Sequence, residues 1–224
     1  MFERHSMERE QTSFAVQRAR MVEEQLRRRG IQDERLLAAM GRVPREVFVA
    51  PDVSGEAYED KPLPIGENQT ISQPYMVAAM VRALAVQPQD RILEVGTGTG
   101  YEAAVLGELA TEVWTIERYA ELAARATENL KVLGYENVHV IHGDGSVGLP
   151  ALAPFDGILV AAAAPHIPES LLVQLAEGGR MVVPVGGRHE QQLQIVRKVG
   201  GEVITRSQEY CRFVPLVGEE GWSG

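Results

Sequence analysis

From Arg91 onward, short apolar runs rich in Val and Ile alternate with segments of helical spacing, and this rhythm restricts the fold more than any other feature. Arg91-Ile-Leu-Glu-Val runs into glycines, residues 101–110 read as a short helix, and Val113–Glu117 is the next strand. Tyr119–Leu133 reads as a helix closed by Gly134, and Val138–Ile141, Gly157–Ala161 and Arg180–Val185 read as strands, with a helix over Pro168–Ala176. Gln192–Val199, Val203–Ser207 and Cys211–Val217 read as a closing antiparallel set. Strand and helix in alternation imply an α/β fold, a doubly wound, mostly parallel sheet with helices on both faces. Strands this apolar suit burial on both sides.

Before residue 90 the reading is helical and irregular. Phe14, Val16, Met21, Val22 and Leu26 give Thr12–Arg29 helical spacing, and Arg27-Arg28-Arg29 before Gly30 suits a helix end, where cations meet the dipole and Gly caps. Asp33 can cap a second helix through Met40, ended by Val43-Pro44-Arg45. Residues 50–73 are rich in proline and glycine and read mostly as loop. A chain of 224 residues suits one domain. We divide it into residues 1–75 (helices and a covering loop), 76–190 (a cofactor-binding core) and 191–224 (C-terminal strands).

The net charge of −9 argues against a nucleic-acid partner, which usually meets a basic face. A single cysteine, Cys211, excludes an internal disulfide and fits a reducing compartment. No apolar run reaches the ~20 residues of a membrane helix, and Met1-Phe-Glu-Arg-His-Ser does not read as a secretory signal. The expectation is a cytoplasmic protein with no membrane partner. The five histidines lack metal-ligand spacing, so no metal is expected. Cys211 and Trp114 read as core.

Glu94-Val-Gly96-Thr97-Gly98-Thr-Gly100 stands where the first strand of the alternation hands over to a helix. That turn lies at the carboxyl end of a strand, where doubly wound sheets bind ligands. Glycine lets the backbone turn tightly and lets a ligand approach it. Glu117 ends the second strand, 21 positions after Gly96, where a carboxylate can accept from ribose hydroxyls. Together these features point to a nucleoside-containing cofactor. Tyr101 breaks the dinucleotide spacing, and Glu94 is unwelcome beside a pyrophosphate. A cofactor with a cationic centre and an amino group fits better, and S-adenosylmethionine has both.

With Gly143-Asp144-Gly145, these motifs resemble class I methyltransferases, which implies a Rossmann-like seven-stranded sheet and places Asp144 against the adenine. Leu63-Pro-Ile-Gly66-Glu-Asn-Gln69-Thr70-Ile71-Ser72-Gln73-Pro74-Tyr75-Met76-Val77 narrows the resemblance. Ser72 or Gln73 could simply cap a helix with Pro74 in its first turn, yet the run matches the signature of the protein-L-isoaspartate(D-aspartate) O-methyltransferases. Val43-Pro-Arg-Glu-Val-Phe-Val, Ala153-Pro-Phe-Asp156 and Arg212-Phe-Val-Pro-Leu216 match that family as well, and the likeness spans roughly residues 20–217.

The resemblance implies methyl transfer from S-adenosylmethionine to the free α-carboxylate of L-isoaspartyl residues in damaged peptides and proteins, a repair reaction that returns aspartate through a succinimide. It makes Ser72 the active-site residue. Thr70, Ile71 and Ser72 cover the cofactor and the substrate carboxylate, and Gln191 lies at the cofactor pocket. Cofactor contacts are expected from Glu94, Gly96, Thr97, Gly98, Glu117, Asp144 and Gly145, and Val214-Pro215-Leu216 is expected near the substrate. A monomer is expected. Asn68, often Gly in the family, and Ala161, often Thr, depart from the pattern. A methyltransferase for another acceptor, and a non-catalytic sensor of S-adenosylmethionine, remain as alternatives. Hydroxyl or amine acceptors would want a base, and none is evident. A nicotinamide oxidoreductase is disfavoured by Tyr101 and Glu94.

Overall fold

The computed structural model describes residues 13–223. Residues 13–29 are helical throughout (α1), with a π-helical segment at Met21–Leu26 and a 3-10 turn at Arg27–Arg29. Gly30, at φ +90°, closes it, and the three arginines pair with Glu23, Glu34 and Asp60, so the basic run is a solvated helix end. The Asp33 carboxylate accepts from the N–H groups of Arg35 and Leu36 at the start of α2 (Glu34–Arg42). The remaining helices are α3 (Pro74–Leu84), α4 (Tyr101–Gly107), α5 (Ala120–Val132) and α6 (Glu169–Gln174).

The strands are β1 (Leu63–Gly66), β2 (Gln69–Ile71), β3 (Arg91–Val95), β4 (Glu112–Glu117), β5 (Val138–His142), β6 (Phe155–Val160), β7 (Leu175–Gly186), β8 (Gln191–Val199) and β9 (Glu202–Cys211). Seven of them form one sheet in the order β5-β4-β3-β6-β7-β8-β9. Pairing is parallel from β5 through β7 and antiparallel for β7-β8 and β8-β9. The order reverses between β3 and β6, the switch point at which such sheets open a crevice. Ile92 packs into the core covered by α2 to α5, and Leu93 and Val95 pack into the core that includes Leu171 of α6. Successive strand residues point to opposite faces, so β3 must be apolar throughout, and its one charged inward residue is Glu94. Among the described residues, no helix is long and apolar enough to cross a membrane.

Two segments differ from the sequence reading. Residues 50–73 contain a 3-10 turn (Pro51–Glu56) and a separate hairpin, β1-β2, rather than loop alone. Its turn residues Glu67 and Asn68 have φ of 51° and 55°. Asn and Gly both tolerate that conformation, so Asn68 does not disturb the backbone. The second difference lies after β9, which stops at Cys211. The chain then leaves the sheet and crosses the end of β6, where Ala163 N–H donates to the Val214 carbonyl and Leu216 N–H to the Ala163 carbonyl. The expected strand over Cys211–Val217 therefore does not extend β9: Phe213 N–H donates to the Gln191 side chain and the Val214 carbonyl accepts from Ala163.

Candidate active site

β3 delivers the glycine loop to the switch point, and β4 delivers Glu117 beside it. Gly96 N–H donates to the Ile116 carbonyl at 2.9 Å, so the loop starts by bending over the end of β4. Gly96 and Gly98 have φ of +96° and +55°, and a Cβ on Gly98 would stand 3.1 Å from Ile65 of β1. The loop therefore presents bare backbone to the space above it. Glu117 accepts from Gly98 N–H (2.8 Å) and Tyr119 N–H (2.9 Å). Burial pushes its carboxyl above the usual range, against the pull of those backbone donors.

Above the loop lies a cleft of about 580 Å³, counted with its open mouth. One wall is Ile65, Gln69 and Thr70 of the hairpin, and another is Ile116 to Tyr119. Gly145 and Ala161–Ala162 form the floor edge, and Val214–Val217 close the far side. Its apolar walls with a few polar groups suit a nucleoside. A smaller compartment continues past Gly98 to Ser72, Thr97, Thr99, Tyr101 and Glu102. On the other side of the hairpin, a groove of about 860 Å³ runs between Ser72, Gln73 and Met76 and the segment Tyr210–Val214. Thr70 and Ala161 border all three spaces, and Ser72 borders the last two. α3 begins at Pro74 with no side-chain cap, so the Ser72 hydroxyl is not committed to the helix.

The family model for "Protein-L-isoaspartate(D-aspartate) O-methyltransferase (PCMT)" matches residues 17–221. The chain belongs to that family. It is 58% identical to a protein-L-isoaspartate O-methyltransferase of Koribacter versatilis, covering 95% of this chain and 96% of that one. It is 53% identical to one of Methanoregula boonei, covering 92% and 95%. A solved protein-L-isoaspartate O-methyltransferase superposes with a TM-score of 0.82 at 30% identity, over 91% of this chain and 67% of that one. The β-aspartate methyltransferase (PCMT) of Plasmodium falciparum, solved in complex with S-adenosyl-L-homocysteine, superposes at 0.79 with 29% identity, over 89% and 98%.

Within this member of the family, the expected site residues divide into two groups. Thr70, Gly96, Gly98, Glu117 and Gly145 line the main cleft, and Thr70, Ile71, Ser72 and Thr97 line the inner compartment. The Thr97 hydroxyl, however, bonds the Thr115 hydroxyl at 2.6 Å, and Thr115 in turn donates to Glu94. Glu94 is fully buried behind the loop and borders none of the three spaces.

Asp144 and Gln191 do not line these three spaces and are engaged in hydrogen bonds beside them. Asp144 accepts from the N–H and hydroxyl of Ser146 and from Glu219 N–H, pinning the C-terminal segment. Gln191 is buried; its amide accepts from Phe213 N–H and donates to the Gly187 carbonyl, turning the chain from β9 toward the cleft. Three residues escaped the sequence reading. Tyr119 borders the main cleft and Glu102 the inner compartment, while Arg45 donates to the Ser72 carbonyl. Tyr119 stands two positions after Glu117 and Glu102 two after Gly100, so the motif spacing carried them. Arg45 lies in the matched run Val43-Pro-Arg-Glu-Val-Phe-Val, but nothing local there says that its side chain is buried against Ser72.

Proposed function

We propose that this chain transfers the methyl group of S-adenosylmethionine to the free α-carboxylate of L-isoaspartyl residues in peptides and proteins, with Ser72 holding the acceptor carboxylate. Glu117 and the glycine loop would hold the nucleoside end of the cofactor: the carboxylate accepts from ribose hydroxyls, and the loop has no Cβ to block approach. The cofactor supplies an electrophilic methyl on a sulfonium. The observation that carries the reading is that Thr70 and Ala161 are shared by the main cleft, the inner compartment and the open groove, with Ser72 at the passage between the last two. An acceptor lying in the groove meets the cofactor there.

The acceptor needs no base. A carboxylate of pKa about 3.5 is ionised roughly a thousandfold in favour of the anion at pH 7. What the protein must do is orient it at near-attack distance, and a hydroxyl donor at Ser72 suits that task. The ester product collapses to a succinimide, which opens in part to aspartate. Peptide backbone in the groove would run beside Arg212–Val214, which lines it.

The same reading has the chain acting as one domain and one monomer in the cytoplasm, without nucleic-acid or membrane partners. Residues 65–70 and 214–217 wall the same cleft, which supports a single unit. The net charge of −9 supports the exclusion of nucleic acid. The test is a pair of synthetic peptides differing only in an aspartyl or isoaspartyl linkage, incubated with labelled S-adenosylmethionine. Base-labile methyl ester on the isoaspartyl peptide alone is the expected result. Ester on neither peptide overturns the reading.

A further inference from the structure

The inner compartment ends on an acid that lacks a partner. Glu102 lies in the first turn of α4, is 7% exposed and borders the compartment together with Ser72 and Gly98. Its Oε1 is sealed from solvent and makes no hydrogen bond among the described residues. Behind it, Glu94 of β3 is in the same condition: one oxygen takes the Thr115 hydroxyl, and Oε1 is buried with no donor. Glu102 ends the compartment and Glu94 stands behind it, and two buried acceptors without donors are an unusual expense in a folded chain, since each forgoes water without a replacement. They match a ligand group made only of donors.

The charges around Glu102 do not relieve it. Glu94 faces it from β3 and Glu117 stands beyond Glu94 on β4, both acidic. Tyr101 is its neighbour on α4, and Arg45 packs 4.7 Å over the Tyr101 ring, with Arg18 of α1 also acting on that phenol. Neither arginine acts on Glu102, whose carboxyl burial alone pushes up to about 8. Burial, with Glu102 and then Glu117 adding to it, holds Glu94 well above the usual carboxylate range despite the Thr115 bond. In the ligand-free chain both acids therefore hold a proton more tightly than a free carboxylate does.

We propose that Glu102 is the counter-ion for the α-ammonium of the cofactor's methionine portion, and that its carboxylic acid gives one proton to solvent as the ammonium enters. The proposal rests on the placement of the nucleoside end at Glu117. A ligand lying from Glu117 across Gly96 and Gly98 arrives at Glu102, because both spaces share those glycines. An ammonium brings three N–H donors and no acceptor. It bonds the Glu102 carboxylate and, by its charge, favours the ionised form. The O–H bond of Glu102 breaks, the proton leaves as buffer acid, and the ammonium keeps its own protons. Glu94, set behind, acts as a positioning residue.

Isothermal calorimetry of S-adenosylhomocysteine at pH 7, in two buffers of different ionisation enthalpy, counts the proton. Close to one is expected to be released with S-adenosylhomocysteine. Near none is expected with 5′-methylthioadenosine, which keeps the nucleoside and the thioether but has no ammonium. Glu102→Gln should abolish the release and weaken S-adenosylhomocysteine at least tenfold, with 5′-methylthioadenosine binding within threefold. Equal release for the two ligands, or release that survives in Glu102→Gln, overturns the proposal and leaves the cofactor placement standing. Failure of both ligands to bind the wild-type chain overturns the placement itself, and the proposal with it.

Discussion

The guanidinium of Arg45 donates to the Ser72 carbonyl at 2.8 Å from a position with no solvent exposure. Its Nε donates to the Ala57 carbonyl at 2.7 Å. A buried cation thus ties the loop after α2 to the backbone of the residue that faces the acceptor.

Arg45→Met should loosen that backbone and leave two buried carbonyls without donors. Each such loss costs about 1–3 kcal/mol, so melting should fall by several degrees and methyl transfer by tenfold or more. Thermal denaturation beside initial rates on an isoaspartyl peptide checks this. An unchanged rate at lowered stability would confine Arg45 to the fold.

Ser72→Ala removes the donor from the border of groove and inner compartment without touching the α3 cap. A hydrogen bond to a charged group is worth about 1.5–3 kcal/mol. The expected loss in kcat/KM for the isoaspartyl peptide is therefore about 10- to 150-fold, with S-adenosylhomocysteine affinity nearly unchanged. Steady-state kinetics and calorimetry separate the two.

The buried acids set a pH dependence of stability. Glu102, held up at about 8 by burial, binds its proton more tightly folded than unfolded. Its contribution is fully present below the unfolded carboxylate range near pH 4.5 and is lost as pH rises through 8. The ligand-free wild type should thus melt at lower temperature at pH 9 than at pH 6. Glu102→Gln should flatten that slope, as read by calorimetric melting across the range.

Asp144→Ala should weaken S-adenosylhomocysteine binding although its carboxylate is engaged elsewhere. It holds Glu219 N–H and Ser146, and the segment it pins carries Val214–Val217, the far wall of the cleft. A loss of about tenfold is expected on the scale of one charged hydrogen bond. Unchanged affinity would show that the wall stays in place without this anchor.

Much of this was legible in the chain. The parallel strands announced themselves because burial on both faces leaves only Val, Ile and Leu as options, as in Ile92 and Leu93. Asp33 and Gly30 marked helix ends by chemistry that acts locally. The β1-β2 hairpin was not legible, since Pro64 and Gly66 read as loop and its order comes from packing Leu63, Ile65 and Ile71 into the core. Glu117 could be placed from spacing alone. The bonds that Glu94, Asp144 and Gln191 make to Thr115, Glu219 N–H and Phe213 N–H could not, because partners far apart in the chain leave no local signal.

The crossing of residues 214–222 over the end of β6 also bears on how the protein is made. A nascent chain extended only through β9 already contains every strand of the sheet, yet the cleft still lacks its far wall and the Trp222 indole that bonds the Ala163 carbonyl. Ligand capture then waits for residues 214–217, which are synthesised after the last strand of the sheet. A product clipped after Cys211 is expected to bind S-adenosylhomocysteine more weakly than the chain that keeps this wall.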